Sequence, residues 1–394
     1  MESSRYVVVG AGLAGSATAL ALARRGLEVT VVERREPAGH EGSSHGSARI
    51  FRYAYPDRFY TDLVIRARSG FDELERLSGR RLISPAGAVD FGAARNPAQL
   101  AQVLESAGVT HELLSQQEAR DRWPQIAFDT EVLWHPDAGV IDAETTVLTQ
   151  VQLAQQNGAY LLTAWEVSSV QRTARGYRLT SAEGQHLDAE NVIVAAGGWL
   201  PALLAELDVP AGFLDRLPRF VVTEEQAYHF PYRALPGDGT SGPGLPPEFP
   251  TFIHKREDIQ TYSLPGGRDA GHRGQKLAEF AAGRVLSSAR EQTGMSDNAN
   301  RHRIIDYVTR YLPGLEPQPY AETTCLFTST PNEDFLLDRT DGLTLLSPCS
   351  GHGAKFAPLI GELAAEVATG GVAPDRFTVA AFSGGLSDQE ATRV

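Results

Sequence analysis

The chain has 394 residues, 42% of them hydrophobic and 22% charged, which is the composition of a globular enzyme and excludes a disordered regulator. This length exceeds one compact core, so we predict two closely packed domains. The formal net charge of −13, without any dense basic run, argues against a nucleic-acid partner, because phosphate binding needs a concentrated basic surface.

The chain opens directly into a strand, without a charged-then-apolar leader and without a long apolar span. We therefore expect neither a signal peptide nor a membrane anchor. Two cysteines, Cys325 and Cys349, fit a reducing compartment, so we expect a cytoplasmic protein. We predict no metal site.

The first predicted element is a βαβ unit at 6–34, YVVVGAGLAGSATALALARRGLEVTVVER. Gly10, Gly12 and Gly15 form a GxGxxG turn: the first permits the tight turn, the second lets the backbone approach a pyrophosphate, and the third packs helix on strand. Glu33 ends the second strand, where a carboxylate can accept hydrogen bonds from both ribose hydroxyls. The unit predicts a dinucleotide site but does not decide between FAD and NAD.

A polar loop at 39–48 then precedes an amphipathic helix from about Tyr60 to Leu77. Short strands with helical interruptions follow over 82–142. From residue 143 the pattern returns to helix and strand, ending in NVIVAAGGW with Gly197 at the strand end. This ending is typical of two-piece FAD domains. A plain buried strand and turn would have the same sequence pattern.

Residues 213–325 alternate in the manner of strands and include ALPGDGTSGPGLPPEFP, which we interpret as a surface loop or lid. The last segment, at 343–371, is again strand, turn and helix. The interleaving predicts a nucleotide domain made of three separated pieces, an inserted domain made largely of β-sheet, and an enclosed site between them.

Four segments together resemble the monomeric sarcosine oxidase and N-methyltryptophan oxidase family, within the D-amino-acid-oxidase-like flavoproteins. They are the N-terminal βαβ unit, GSSHGSARIFRYAY at 42–55, CLFTSTPNEDF at 325–335 and SGHGAKF at 350–356. The resemblance spans nearly the whole chain. It implies an α/β fold with a FAD-binding Rossmann-like domain of the GR2/DAO type and an inserted, mainly antiparallel β-sheet substrate domain. On this basis we predict the FAD-binding domain at 1–81, 143–212 and 326–394, and the substrate domain at 82–142 and 213–325.

The resemblance also implies that Cys325 carries the FAD covalently, through a thioether to the flavin 8α-methyl carbon. From the residues alone, a cysteine in an apolar strand is more often a small buried hydrophobe. We interpret Cys349 in that way, as a core residue.

Four cationic or titratable side chains match the family near the flavin. Lys355 lies on the Gly-rich turn before the last helix, where a cation and a helix N-terminus would stabilise negative charge on the reduced flavin. Arg49 and His45 match positions at the flavin, and Arg52 matches a carboxylate clamp that can bind in bidentate fashion. The alternatives are a solvated lysine, surface arginines and a histidine that caps the loop.

Lys276 resembles the family lysine that promotes reaction with oxygen, and Tyr262 an active-site tyrosine in the preceding strand. Further residues are expected to contact the cofactor: Arg34, Ser44, Val167, Gly351 and Gly353. Phe280 and Phe327 stand where sarcosine oxidase itself has polar groups, which predicts a different pocket and a bulkier, cyclic or aromatic amino acid as substrate.

We therefore predict a monomeric FAD-dependent oxidase that converts a secondary, N-methylated or cyclic amino acid to an imine and reduces molecular oxygen to hydrogen peroxide. Two alternatives remain open. One is a flavin dehydrogenase or desaturase of secondary metabolism acting on a cyclic amine or imine; the other is a non-catalytic dinucleotide-binding protein.

Overall fold

The computed structural model describes residues 3–233 and 249–382. The described strands are β1 (Ser3–Val9), β2 (Val29–Val32), β3 (Arg49–Phe51), β4 (Ile83–Pro85), β5 (Ala88–Phe91), β6 (Glu112–Leu114), β7 (Val132–His135), β8 (Gly139–Ile141), β9 (Tyr160–Leu162), β10 (Val167–Thr173), β11 (Gly176–Ser181), β12 (His186–Val194), β13 (Val221–Pro231), β14 (Thr251–Lys255), β15 (Gln260–Pro265), β16 (Gly274–Glu279), β17 (Arg284–Leu286), β18 (Ala321–Ser329), β19 (Leu336–Thr340) and β20 (Leu343–Ser347). The described α-helices are α1 (Leu13–Arg24), α2 (Arg58–Ser78), α3 (Pro97–Ala107), α4 (Gln116–Arg122), α5 (Ala143–Gln156), α6 (Leu200–Leu203), α7 (Ala211–Leu214), α8 (Asn298–Tyr311), α9 (Ala357–Ala368) and α10 (Val379–Phe382).

The first sheet has the order β10-β11-β12-β1-β2-β9, with β20 beside β12 and β19 beside β20. Its centre is parallel, since β9, β2, β1, β12 and β20 all run in the same direction. Strands buried on both faces need apolar side chains throughout, and β2 is fully buried along its length. Helix α1 packs against both α5 and α9, which covers one side of this sheet.

Helix α2 shows how local signals set an element boundary. The Asp57 side chain accepts a hydrogen bond from the Phe59 N–H at the start of the helix, and Gly79 ends it in the left-handed region with φ of 68°. The observed helix exceeds the predicted Tyr60 to Leu77 range by two residues at its start and one at its end.

The second sheet has the order β17-β13-β16-β15-β14-β5-β7-β6. Strand β18 also belongs to it and pairs with β13 along Val221–His229. All its pairs are antiparallel except β14 with β5. The mainly antiparallel second sheet is therefore confirmed. Helix α8 packs on it over an aromatic core that includes Phe252 and Tyr228.

A third sheet of three short strands, β3-β8-β4, lies between the predicted domains, because β3 comes from one and β4 and β8 come from the other. The predicted boundary between residues 325 and 326 falls within β18. The proposed division into domains thus stays a prediction. Residues 234–248 of the predicted surface loop or lid lie outside the described residues. No helix in the two described ranges is both long and apolar enough to cross a membrane.

Candidate active site

A cavity of about 1070 Å³ lies between the first and second sheets. This volume lies slightly above the range of about 300–1,000 Å³ that is typical of ligand sites. Sixteen of the predicted site residues line the cavity: Gly10, Gly12, Glu33, Arg34, Ser44, His45, Arg49, Arg52, Val167, Gly197, Tyr262, Lys276, Cys325, Gly351, Gly353 and Lys355. The fold therefore brings together residues that are up to 345 positions apart in the sequence.

Gly15 does not line the cavity. A Cβ at this position would lie 1.9 Å from the Gly10 carbonyl oxygen, so only glycine lets α1 approach β1 this closely. This geometry agrees with the packing role predicted for the third glycine of the motif.

The turn between β1 and α1 presents backbone to the cavity. Gly10 has a φ of +100°, and a Cβ there would lie 2.6 Å from the Ala195 carbonyl oxygen. The Leu13 N–H, in the first turn of α1, donates to the Ser44 hydroxyl at 3.0 Å. The Glu33 carboxylate accepts from the Ala11 N–H at 2.7 Å, which fixes it beside the glycine turn. Backbone donors and a carboxylate thus occupy the places that the GxGxxG motif predicts.

Arg34 follows Glu33 and forms an ion pair with Glu41. Its guanidinium carbon also lies 4.6 Å from the centre of the Trp199 ring, so the side chain is held by charge and by a cation–π contact. Val167 and Gly197 line the same region of the cavity.

The loop before β3 is held by Arg49. Its guanidinium donates to the carbonyls of Ala48 (3.0 Å), Ser43 (3.0 Å) and His45 (2.9 Å), so its position depends on backbone. His45 is buried, and its Nε2 has no hydrogen-bond partner among residues 3–233 and 249–382. Burial lowers the pKa of His45 to about 3, and Arg49 and Lys276 act in the same direction. The ring is therefore neutral.

Arg52 and Lys355 meet at Tyr55. Lys355 Nζ donates to the Tyr55 hydroxyl at 3.0 Å and to the His352 carbonyl at 2.7 Å, while the Arg52 guanidinium lies 4.4 Å from the Tyr55 ring centre. Arg52 is 7% exposed and Lys355 4%. Burial, together with Arg52, holds the pKa of Lys355 well below its ordinary value. A buried guanidinium and a buried lysine that face one cavity favour an anionic ligand between them, because its charge would compensate Arg52 and favour the protonated form of Lys355.

Lys276 lies in β16 and is 6% exposed, with its Nζ 3.4 Å from the Ala48 carbonyl oxygen. Burial and Arg49 lower its pKa to about 8, against the opposite effects of Cys325 and Asp269. Tyr262, on the adjacent β15, also lines the cavity, and burial raises the pKa of its hydroxyl.

Both cysteines line the cavity. Cys325 lies in β18 opposite Glu225, and burial raises the pKa of its thiol while Arg49 and Lys276 lower it. Cys349 is partly exposed, and its Sγ accepts from the Thr328 N–H at 3.3 Å. The core interpretation of Cys349 was therefore wrong, because the turn after β20 places this thiol at the cavity wall.

Phe280 and Phe327, the two phenylalanines expected to alter the pocket, both line the cavity. The ring centres of Phe280 and Phe327 are 6.2 Å apart. Gly351 lies against both, since a Cβ at this position would lie 2.7 Å from the Phe327 ring and 3.1 Å from the Phe280 ring. This wall is apolar and closely packed.

Comparison with known proteins identifies the family. Residues 5–367 match the family described as FAD dependent oxidoreductase. The chain belongs to this family. It is 32% identical to the monomeric sarcosine oxidase of Streptomyces avermitilis, with 93% of each chain covered. It is 29% identical to N-methyl-L-tryptophan oxidase of Escherichia coli, covering 92% of this chain and 94% of the relative.

Among solved structures, a variant of NikD, described as an unusual amino acid oxidase essential for nikkomycin biosynthesis, superimposes with a TM-score of 0.80. Its sequence identity is 25%, over 95% of this chain and 96% of that chain. The protein is accordingly a FAD-dependent amine oxidase similar to monomeric sarcosine oxidase.

The residues present fit FAD. We call the region lined by Gly10, Gly12, Glu33, Arg34, Val167 and Gly197 the nucleotide part of the cavity. It has the close backbone approach and the carboxylate that a dinucleotide needs. We call the remaining region the substrate part, and it is lined by Arg52, Lys255, Tyr262, Lys276, Phe280, Phe327 and Lys355. The unpartnered Nε2 of His45 is a buried polar atom that a bound cofactor could satisfy.

Lys255 was missed by the sequence reasoning. It ends β14, lines the cavity, and has a pKa lowered to about 7 by burial and by Arg95 and Arg52. Residues 256–258, which follow it, are all charged, and this pattern predicts an exposed turn. One signal could have found it: only three of the 36 lysine and arginine residues are lysines, and all three line this cavity.

Proposed function

We propose that this protein oxidises the carbon–nitrogen single bond of a secondary, N-methylated or cyclic amino acid to an imine. Molecular oxygen is reduced to hydrogen peroxide, so two electrons and two protons pass from each amine to each oxygen molecule. The observation that carries the proposal is the pair of buried basic side chains, Arg52 and Lys355, that line the cavity of a FAD-dependent oxidoreductase fold.

Bound FAD would supply the two-electron acceptor. The chain supplies orientation. Arg52 presents a planar guanidinium and Lys355 a compact ammonium, and together they can bind one carboxylate of the substrate. Fixing that carboxylate limits the positions that the amine-bearing carbon can take, which lowers the entropic part of the barrier. Lys276 is proposed to stabilise the negative charge that develops on oxygen as it is reduced, because a fixed, desolvated cation interacts strongly with such charge.

The proposed substrate is larger than sarcosine. Phe280 and Phe327 have no hydrogen-bonding side-chain group to offer a small polar amine, but both line the cavity and can contact an apolar or aromatic group. The relatives' names span this range, from sarcosine to N-methyl-L-tryptophan.

Rapid mixing of the anaerobic holoenzyme with sarcosine, L-proline, L-pipecolate and N-methyl-L-tryptophan tests this function. We expect at least one of the three larger amino acids to bleach the flavin faster than sarcosine, and one peroxide to form per turnover when oxygen is admitted. If sarcosine were fastest, the inference from the two phenylalanines would fail. A reduced enzyme that persists in air would favour the dehydrogenase or desaturase instead.

We further propose that the FAD is covalently attached through Cys325, which lies at the cavity wall near Lys276 and Arg49. Burial raises the pKa of this thiol overall, and both cations act against burial in favour of the thiolate form that reacts in such a linkage. Acid denaturation followed by mass spectrometry of the polypeptide tests this point. Wild type and Cys349→Ser should retain the mass of one FAD, and Cys325→Ala should not. Release of intact FAD from wild type would exclude the linkage and leave the amine oxidase proposal standing.

A further inference from the structure

The proposed oxidation needs a neutral amine, because the lone pair on nitrogen stabilises the carbon from which hydride leaves. An alkyl amine has an ordinary pKa of about 10, so an amino acid in neutral solution carries its amine as an ammonium. The substrate must therefore lose one proton before the carbon–nitrogen bond is oxidised. A buried side chain at the cavity wall with a free lone pair is the group that can accept it.

The hydrogen bonds of Lys355 use two donors. Its Nζ donates to the Tyr55 hydroxyl at 3.0 Å and to the His352 carbonyl at 2.7 Å. Among the described residues it has no third hydrogen-bond acceptor. An ammonium has three N–H donors, whereas a neutral amine has two donors and one lone pair. The two acceptors therefore match the neutral amine, and the third position of the nitrogen is left for a ligand in the cavity that Lys355 lines.

The direction of these hydrogen bonds is set by His352. Its Nε2 lies 3.0 Å from the Glu333 carbonyl oxygen, which can only accept, so Nε2 carries the hydrogen. Burial and Lys355 hold the pKa of His352 well below its ordinary value, so the ring is neutral and its Nδ1 accepts. The Tyr55 hydroxyl, 3.0 Å from Nδ1, therefore donates to His352 and accepts from Lys355. Burial raises the pKa of Tyr55 to about 12, so this hydroxyl keeps its hydrogen.

No carboxylate within residues 3–233 and 249–382 forms an ion pair with Lys355. The short turn that carries it, Gly353–Phe356, packs against β3 and α2 and leads into α9, whose first turn has no titratable residue. The ionisable side chains around this turn are Arg52, Tyr55, Tyr60, Glu333, Asp334 and His352. Asp334 is bound by Arg376 at 2.7 Å, and burial raises the pKa of Glu333 to about 7.

The protonation of Lys355 therefore depends on whether an anion is bound beside it. Burial and Arg52 hold its pKa well below the ordinary value. The ring centres of Tyr55 and Phe356, 5.5 Å and 5.3 Å from Nζ, offset part of the cost of an ammonium there. A carboxylate bound between Arg52 and Lys355 would reverse this balance, because an opposite charge favours the protonated form.

We propose that Lys355 accepts the proton of the substrate ammonium as the α-carboxylate binds to Arg52. One N–H bond of the substrate breaks and one forms at Lys355 Nζ, without any change in oxidation state. The amine and the carboxylate of an α-amino acid are attached to the same carbon, so a lysine that binds one lies close to the other. The new ammonium of Lys355 pairs with the carboxylate, and the neutral amine has the lone pair that hydride loss requires. This inference rests on the proposed amine oxidase function and adds its proton acceptor.

Proton uptake on binding tests the proposal without turnover. The probes are 1-methylcyclohexane-1-carboxylate and 1-aminocyclohexane-1-carboxylate, which have nearly equal size and no oxidisable hydrogen on the carbon that bears the amine. Each is bound to the holoenzyme to saturation, judged by flavin absorbance, in weak buffer at about pH 8 with an indicator dye. The carboxylate without an amine should take up about one proton per site from solution, because Lys355 has no other source. The amino acid supplies its own proton, so its net uptake should be close to zero.

Three results of this experiment would overturn the proposal. Absence of uptake with the carboxylate would mean that Lys355 is already an ammonium before the ligand binds. Equal uptake with both probes would mean that the amino acid keeps its ammonium proton. Uptake that persists in Lys355→Met would place the proton on another group. Flavin content and absorbance show whether each variant is folded.

Lys355→Arg provides a second measurement, because arginine keeps a cation for the carboxylate but cannot accept a proton. This variant should bind both probes without proton uptake. With the amino acid that reduces wild type fastest, its rate of flavin reduction without oxygen should rise about tenfold per pH unit, because only the deprotonated amino acid reacts. Wild type should show a weaker dependence, and equal pH profiles would overturn the proposal. The expected proton counts without flavin reduction by any amine would contradict the proposed oxidase function alone.

Discussion

The nucleotide part of the cavity is formed mainly by backbone, whereas the substrate part is formed by buried cationic and aromatic side chains. In the first, Gly10 lets the turn approach the Ala195 backbone, and Gly15 behind it lets α1 approach β1, at distances that any Cβ would prevent. In the second, Arg52, Lys276 and Lys355 are each less than 8% exposed and bring basic groups into a desolvated space. Changes in the nucleotide part should therefore lower stability and cofactor retention, and changes in the substrate part should alter rates in a folded enzyme.

The two parts of the cavity constrain the sequence in different ways. A backbone site requires glycine at fixed spacings within one βαβ unit, so its signal is local. A site of buried cations depends on strands that pair across long distances, such as β14 with β5. Each such cation lowers stability through desolvation unless a partner or a ligand compensates its charge.

The largest effect is expected for Lys276→Met. Loss of the fixed cation should slow reoxidation of the reduced enzyme by oxygen about 10²-fold to 10³-fold, the cost of removing one preorganised electrostatic group. Flavin reduction by substrate without oxygen should change much less. Stopped-flow absorbance measures both steps, and Lys276→Arg serves as the charge-retaining control. Reoxidation at the wild-type rate in Lys276→Met would show that this lysine does not serve oxygen.

A smaller effect is expected for Arg52→Gln, since Lys355 remains to hold the carboxylate. The KM for a carboxylate-bearing substrate should rise about 10-fold to 100-fold, as expected for loss of a buried charged hydrogen bond. N-methyltryptamine, the matching amine without the carboxylate, is the control for N-methyl-L-tryptophan. An equal rise in KM for both amines would mean that Arg52 shapes the pocket without binding the carboxylate.

Gly15→Ala tests the expectation that changes in the nucleotide part lower stability and cofactor retention. The added methyl group would meet the Gly10 carbonyl oxygen, so we expect a loss of about 1–3 kcal/mol in the free energy of unfolding, together with reduced FAD content. Gly212→Ala is the matched control, because no atom lies within 4 Å of the Cβ added there. Chemical denaturation measures the change. An unaltered Gly15→Ala protein would show that α1 can shift away from β1.

The fold was predictable wherever its signals were local. The βαβ unit, helix α2 and the alternating strands of the second sheet follow from apolar periodicity and turn residues. The grouping of Arg52, Lys276 and Lys355 came from the resemblance to a family, because local sequence does not show that residues so far apart along the chain meet. Their placement along one cavity then followed from the fold.

What could not be predicted depended on tertiary contacts. Lys255 precedes charged residues that do form an exposed ion pair, Arg256 with Asp258 at 2.9 Å, so local sequence indicates solvent. The parallel pairing of β14 with β5 carries its side chain to the cavity instead. Cys349 follows a buried strand and reads as core, yet the turn at Pro348 brings it to the cavity wall.

The smallest predicted effect is a dependence on pH that follows from the titration of Lys276 in the substrate part of the cavity. Its pKa of about 8 leaves it charged below that pH and neutral above it, so reoxidation should fall about tenfold between pH 7 and pH 9. Arg49 lowers this pKa and Asp269 raises it. Asp269→Asn should therefore move the break in the pH profile to lower pH, and Lys276→Met should abolish the break. A break that persisted in Lys276→Met would have to come from another group, and the charge on this lysine would then not control the reaction with oxygen.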